Sequence, residues 1–213
     1  MNNNKKSWIV TVDMGYGHQR TSYPLKSIAF KEKIINANNY DGIPERDRKI
    51  WKTTRILYEF ISKFKKVPLI GEFVFSAFDT FQRILDFYPK RDLSKPNISL
   101  KQIYYLFKKG WGIDLIEKLK VSSEKIPLIS SFFTSAFMAE FLNYPGEIYC
   151  IICDADISRT WAPLKPHLSR IKYFASTGRV AERLKLYGVK QENIFLTGYP
   201  LPKENIGTKE MEV

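Results

Sequence analysis

The sequence predicts an α/β protein built on a Rossmann-like, mostly parallel sheet with helices on both faces and a helical insertion. Three observations carry this. Apolar runs of strand length recur at residues 7–13, 126–132, 148–154, 171–176 and 193–197. Segments with apolar residues at helical spacing separate them, and the second half alternates strand and helix regularly. The first run is near-continuously apolar through Trp8, Ile9, Val10 and Val12, as suits a strand covered on both faces.

In order along the chain, the strand at 7–13 empties into a glycine-rich loop, Met14 to His18, and then a helix that ends near Phe30. Pro24 would break a helix begun at His18, so its start is expected near Ser22. A second strand is expected at 33–38, followed by the turn Asn39-Tyr-Asp-Gly42. Pro44 opens a long basic amphipathic helix, as a first-turn proline can. Its stripe is Ile50, Trp51, Leu57, Tyr58 and Ile61, and Pro68 ends it. An aromatic helix then runs to Pro89, and a third helical region spans 99–120 around Gly110-Trp-Gly112. Thr134 is expected to cap a helix at 135–143, Thr177 to cap another, and Gly188 to stop it. Residues 1–202 read as one domain with 43–125 as the helical insertion, and 203–213 as a tail or truncated linker.

Composition narrows the function classes. With 44% hydrophobic residues the chain can build a core, which excludes a disordered tail. The formal charge of +12 favours an anionic partner, such as an acidic membrane surface, or reflects a lysine-rich proteome on a solvated surface. No nucleic-acid recognition motif is present, so nucleic acid is not the expected partner. The apolar run at 8–12 is too short for a signal peptide, and Ser130, Ser131, Thr134, Ser135, Glu140 and Asn143 interrupt 126–144. The expected location is cytoplasmic, peripheral on a membrane. Cys150 and Cys153 form a C-x-x-C on a strand, where positions three apart face opposite ways. No second Cys/His pair completes a zinc site, so buried structural thiols and no metal are expected.

The stretch Asp13-Met-Gly-Tyr-Gly-His18 holds the main candidate chemistry. Its glycines permit tight turning and close ligand approach, and His18 could act as a general base near neutral pH. It reads equally as a structural strand-to-helix turn. Open parallel sheets bind ligands beyond the carboxyl ends of their strands, which gathers the loops at 14–22, 133–134 and 155–166 on one rim. There Asp154 is a ligand-facing acid or a strand-end cap, and Trp161 is a sugar platform or a core residue. Asp154 and Asp156 would share a face of an extended segment. His167 reads as a surface histidine. Trp51, Lys52, Arg55, Lys65, Lys66, Phe73 and Phe78 could face an anionic bilayer, or the apolar stripe among them could be core.

The loop Asp13–His18 resembles the first loop of the monogalactosyldiacylglycerol synthase family and, more loosely, the glycine-rich His loop of the transferase that forms lipid II. The run Ile151-Ile-Cys-Asp154, Trp161, Tyr173-Phe-Ala-Ser-Thr177, Gly188-Val189 and Leu196-Thr-Gly-Tyr-Pro200 is similar to the same family in order and spacing. The resemblance implies half of a GT-B architecture, in which two Rossmann-like domains meet over an active-site cleft. It makes His18 the base that activates an acceptor hydroxyl. Asp13, Gly15 and Gly17 would shape its loop, and Asp154 and Trp161 would line the acceptor side. It implies a lipid or lipid-linked acceptor, no tightly bound cofactor, and a UDP-type nucleotide sugar as co-substrate held by a separate donor-binding partner. The alternative is a non-catalytic Rossmann-like binding module. The sequence departs from the family at Pro24 and where Phe133-Thr134 and Ser158-Arg159 stand in place of histidines.

Overall fold

The computed structural model describes residues 6–64, 84–88, 92–120 and 125–202. Six strands form one sheet: β1 (Ser7–Thr11), β2 (Ala29–Asn36), β3 (Leu128–Ser130), β4 (Ile148–Ile151), β5 (Lys172–Ala175) and β6 (Ile194–Leu196). Their order is β2-β1-β3-β4-β5-β6, and every neighbouring pair is parallel. The α/β expectation holds, and its reason lies in β1, where all five residues are buried. Trp8 and Val10 enter the larger core, while Ile9 joins Ala29, Ile129 and Ile151 in a smaller core on the other face.

Helix α1 (Tyr16–Ser22) follows β1 directly, and a 3-10 helix (Tyr23–Ile28) continues from it. The helix was expected near Ser22 because of Pro24. Instead the chain changes helix type, and Pro24 sits in the first turn of the 3-10 segment, where its missing N–H removes no bond. Leu25 and Ile28 of this segment cover the smaller core. Strand β2 also begins earlier than expected. Ser7 pairs with Ala29 but Ile9 pairs with Ile34, and the intervening Lys31 and Glu32 adopt left-handed φ of 55°. The expected strand at 33–38 overlaps only the regular part after this bulge.

The insertion supplies α2 (Glu45–Phe64), α3 (Ile98–Lys108) and α4 (Ile113–Leu119). The Pro44 carbonyl accepts the first helical bond, from Arg48 N at 2.9 Å. Asp47, 2% exposed, fixes the helix in place: one oxygen accepts from Arg46, the other from Gly112 N at 3.0 Å. Gly112 has φ +88°, and a Cβ there would lie 2.5 Å from the Met138 sulfur, so that turn demands glycine. Trp51 consequently packs edge-on against Trp111, with ring centroids 4.9 Å apart.

Helix α5 (Phe133–Phe141) begins one residue before Thr134. The expected cap fails, because Thr134 is buried in the first turn and Phe132 occupies the capping position without a side-chain bond. Helix α6 (Gly178–Leu186) does start as expected, with the Thr177 hydroxyl accepting from Val180 N at 3.1 Å. Gly188, at φ +90°, follows its last turn. Among the described residues no helix is long and apolar enough to cross a membrane.

The strand order decides where a ligand can enter. From β1 the chain moves outward to β2 and then returns across β1 to β3. The loops leaving β1 and β3 therefore diverge, opening a crevice at the carboxyl edge between them.

Candidate functional site

A cavity of about 370 Å³ occupies that crevice. The strand ends contribute Met14 and His18 after β1, Phe132 to Thr134 after β3, and Asp154, Ser158 and Trp161 after β4. The insertion closes it from above with Trp51, Thr53 and Thr54 of α2, Ile103 and Leu106 of α3, and Trp111. The three loops expected at the rim thus meet in one cavity. Among the described wall residues Trp51, Trp111, Phe132, Phe133 and Trp161 stand beside polar Thr53, Thr54, Ser99, Gln102, Thr134, Ser158 and Thr160, and none is lysine or arginine, although the chain bears +12.

His18 is the best-defined group in it. Its Nδ1 lies 2.9 Å from the Ser131 carbonyl oxygen. A carbonyl only accepts, so Nδ1 carries the proton and the neutral ring leaves Nε2 as the basic nitrogen. The acceptor is itself anchored, since Ser131 N donates to Val10 O at 3.0 Å and Ser131 Oγ to Thr11 Oγ1 at 3.1 Å. Phe132 meets the imidazole edge-on at 4.9 Å, and Trp161 lies 6.4 Å away. Burial pushes the imidazole below its ordinary titration range, opposed by the Ser131 bond and the nearby Asp154 charge. The ring is therefore neutral at pH 7.

The other loop residues divide sharply. Asp13 is not part of the cavity wall. Its backbone is clasped by Asn38, with bonds of 2.9 and 3.1 Å, and its carboxylate accepts from Gln19 of α1 at 3.1 Å. It holds the loop between β2 and α1. Gly15 has φ +139°, a conformation side chains disfavour. Gly17 lies inside α1, and a methyl there would meet only Cys153 Sγ at 3.9 Å. Only Gly15 is conformationally required.

After β4 the chain brings together less than the sequence suggested. Asp154 faces the cavity, and its carboxyl is pushed above the usual range by desolvation, with His18 opposing. Asp156 turns away to α6 and accepts from Arg183 Nε at 2.9 Å and Arg179 Nε at 2.5 Å. Burial works against its ionisation, and the Arg183 and Arg179 bonds outweigh that, holding the carboxyl low. The two aspartates do not form a pair, because the extended geometry needed for a shared face ends with β4 at Ile151. Trp161 is both core and wall: it is 6% exposed, packs 5.1 Å from Phe133 and borders the cavity. Arg159 is buried as a clamp, donating to the carbonyls of Ser94, Ala162 and Pro163. His167 is exposed on the 3-10 turn Pro166–Leu168.

Among the residues expected to face a membrane, Trp51 is corrected: it is 3% exposed and walls the cavity, because Trp111 and the Asp47 clamp turn it inward. Lys52 is exposed. The side chains of Arg55, Lys65, Lys66, Phe73 and Phe78 lie outside the described residues. No cluster of three His, Cys, Asp or Glu suited to a metal occurs among the described residues.

Sequence reasoning missed Cys153. It lies beyond the end of β4, so the strand argument that buried both thiols applies only to Cys150. Its Sγ is 3.2 Å from His18 Nδ1. The C-x-x-C spacing was the available signal, but it pointed to the partner cysteine and not to the histidine. Comparison of the chain with protein-family models, curated proteins and solved structures returns no match.

Proposed function

We propose that the chain is the acceptor-binding part of a glycosyltransferase that moves a sugar from a nucleotide donor to a lipid or lipid-linked hydroxyl. The observation that carries this reading is His18, held as the Nδ1–H tautomer at an aromatic cavity on the carboxyl edge of the sheet. A hydroxyl is a poor nucleophile, and Nε2 would take its proton as the oxygen attacks the anomeric carbon. The bond to the nucleoside diphosphate breaks in the same event. The proton then rests on His18, where the Asp154 carboxylate favours the imidazolium. Walls rich in tryptophan and phenylalanine suit an apolar acceptor body, and the absence of lysine and arginine among the described wall residues suits an uncharged one.

The same absence separates the donor. The described wall residues include no lysine or arginine to pair with a diphosphate, which favours a UDP-type sugar held by a donor-binding partner. Exposed Arg48, Lys49 and Lys52 on α2 and Lys101 on α3 adjoin the cavity-lining helices and favour attachment to an anionic membrane surface.

The test is transfer of labelled sugar from UDP-sugars to a membrane lipid extract, with the chain reconstituted alongside its donor-binding partner. His18→Ala should lower transfer by about 10²- to 10⁴-fold without changing lipid binding. Transfer at the wild-type rate by His18→Ala would leave the alternative, a binding module whose cavity holds a ligand and does no chemistry.

A further inference from the structure

The Nδ1 side of His18 has two neighbours, and only one is backbone. Beside the Ser131 carbonyl at 2.9 Å stands the Cys153 sulfur at 3.2 Å. The thiol is not a cavity-wall residue. It sits behind the ring, against the Gly17 turn of α1. Its successor Asp154 lies on the cavity side. The end of β4 therefore supports His18 from behind with one residue and faces the ligand with the next.

We propose that Cys153 is a positioning residue for His18: its uncharged thiol, where a carboxylate could stand, holds the imidazole with Nε2 toward the cavity without drawing it into the imidazolium form. The proposal rests on His18 being the base.

The chemistry of the alternatives decides the point. A carboxylate on Nδ1 orients a histidine but also raises its proton affinity, because the charged pair is favoured. A hydroxyl is a better hydrogen-bond acceptor than sulfur and stabilises the imidazolium more. A thiol fills the volume, accepts weakly and carries no charge. Burial keeps it so, pushing the thiol up to about 12, far from thiolate at neutral pH. Every element packed on His18 agrees with this assignment. Helix α1 places Gly17 against the Cys153 sulfur, the end of β3 offers the Ser131 carbonyl to the ring, and the aromatic side is Phe132 and Trp161. Among the described residues the titratable groups facing the ring are Cys153 and Asp154 alone, and Asp154 lies in front.

The chain has two histidines, and His167 is exposed, so it serves as an internal control in the full-length protein. Imidazole ¹⁵N resonances, assigned with His167→Asn, report both the tautomer and the titration midpoint without any need for turnover. In the wild type the neutral His18 ring should carry its proton on Nδ1 and titrate below the ordinary imidazole range. Cys153→Asp should raise the proton affinity of His18 by at least about tenfold. Cys153→Ser, nearly isosteric, should raise it by about threefold, and it decides the matter by itself if the aspartate variant does not fold. An unchanged midpoint in Cys153→Ser, a rise under tenfold in a folded Cys153→Asp, or a wild-type ring protonated on Nε2 overturns the assignment. Loss of transfer in His18→Ala tests the base separately, so failure of one claim is distinguishable from failure of the other.

Discussion

Asp154 and Asp156 stand two residues apart on one loop, and their surroundings are opposite. Asp156 is gripped by Arg183 and Arg179, and Arg183 is 1% exposed. Asp154 faces a cavity with no lysine or arginine among its described wall residues and lies close enough to His18 to feel its charge. One carboxyl is held below the ordinary range, the other pushed above it. The difference separates a carboxylate whose partners are already in the fold from one whose partner would be a ligand. Groups of the second kind mark functional sites and lower stability.

The strongest way to break the comparison is to remove the gripped carboxylate. Asp156→Ala leaves the Arg183 guanidinium buried without its counter-charge, and should cost about 3–5 kcal/mol. A shift of the urea midpoint at unchanged slope would measure it. Asp154→Ala should not approach that cost. Equal losses from the two substitutions would mean that both aspartates are structural.

The loop before α1 offers a second contrast of intermediate size. Gly15→Ala forces a side chain into φ +139° and should cost about 1–3 kcal/mol. Gly17→Ala replaces a glycine inside α1 where a methyl fits at 3.9 Å, and should be neutral or stabilise by up to about 1 kcal/mol. Thermal unfolding of the two variants checks the pair.

These contrasts also show what the sequence could and could not reveal. The strands were legible because short apolar runs such as Trp8, Ile9, Val10 and Val12 of the first are of strand length and bounded by turn signals, and Thr177 and Gly188 bracket α6 by local chemistry alone. The rim loops followed from strand ends, and the cavity that the structure has there is lined by residues of all three, His18 among them. What failed depends on contacts distant in sequence. Asp156 meets Arg183 across 27 residues, and Cys153 meets His18 across 135. For Trp51 the sequence left a bilayer-facing side chain and a core stripe both open, and the bonds of Arg46 and Asp47 to the Gly110–Gly112 turn decide for the core. Pro24 misled for a different reason: a proline that ends an α-helix also begins a 3-10 turn, and periodicity does not distinguish the two.

Acid titration sharpens the comparison further, because the three groups contribute with different signs. Asp156 has a depressed carboxyl, so its stabilisation is present above the unfolded value of 3.8 and is lost as pH falls through the lower folded value. His18 is also depressed, so the unfolded chain binds more protons just below pH 6.5, and stability from this group rises with pH up to there. Asp154 is raised, so its contribution declines as pH climbs from 3.8 through the folded value. Denaturant midpoints collected from pH 3 to pH 8 should lose the acid-side fall in Asp156→Ala and the slope below pH 6.5 in His18→Ala.

The smallest effect is the most telling. Asp154→Asn removes an ionisation that the fold disfavours, and it should stabilise the protein at pH 7. The carboxyl is still reached by solvent, which screens its penalty, so the gain should stay under about 1 kcal/mol. At the same time the variant deprives the protonated His18 of a nearby negative charge, so under the proposed function sugar transfer should fall by about tenfold. The pairing of these signs is what distinguishes the sites, since a structural carboxylate cannot gain stability by losing its charge. Asp154→Asn measured as less stable than the wild type would place Asp154 with Asp156 as a structural carboxylate and leave the chemistry of the described cavity wall to His18.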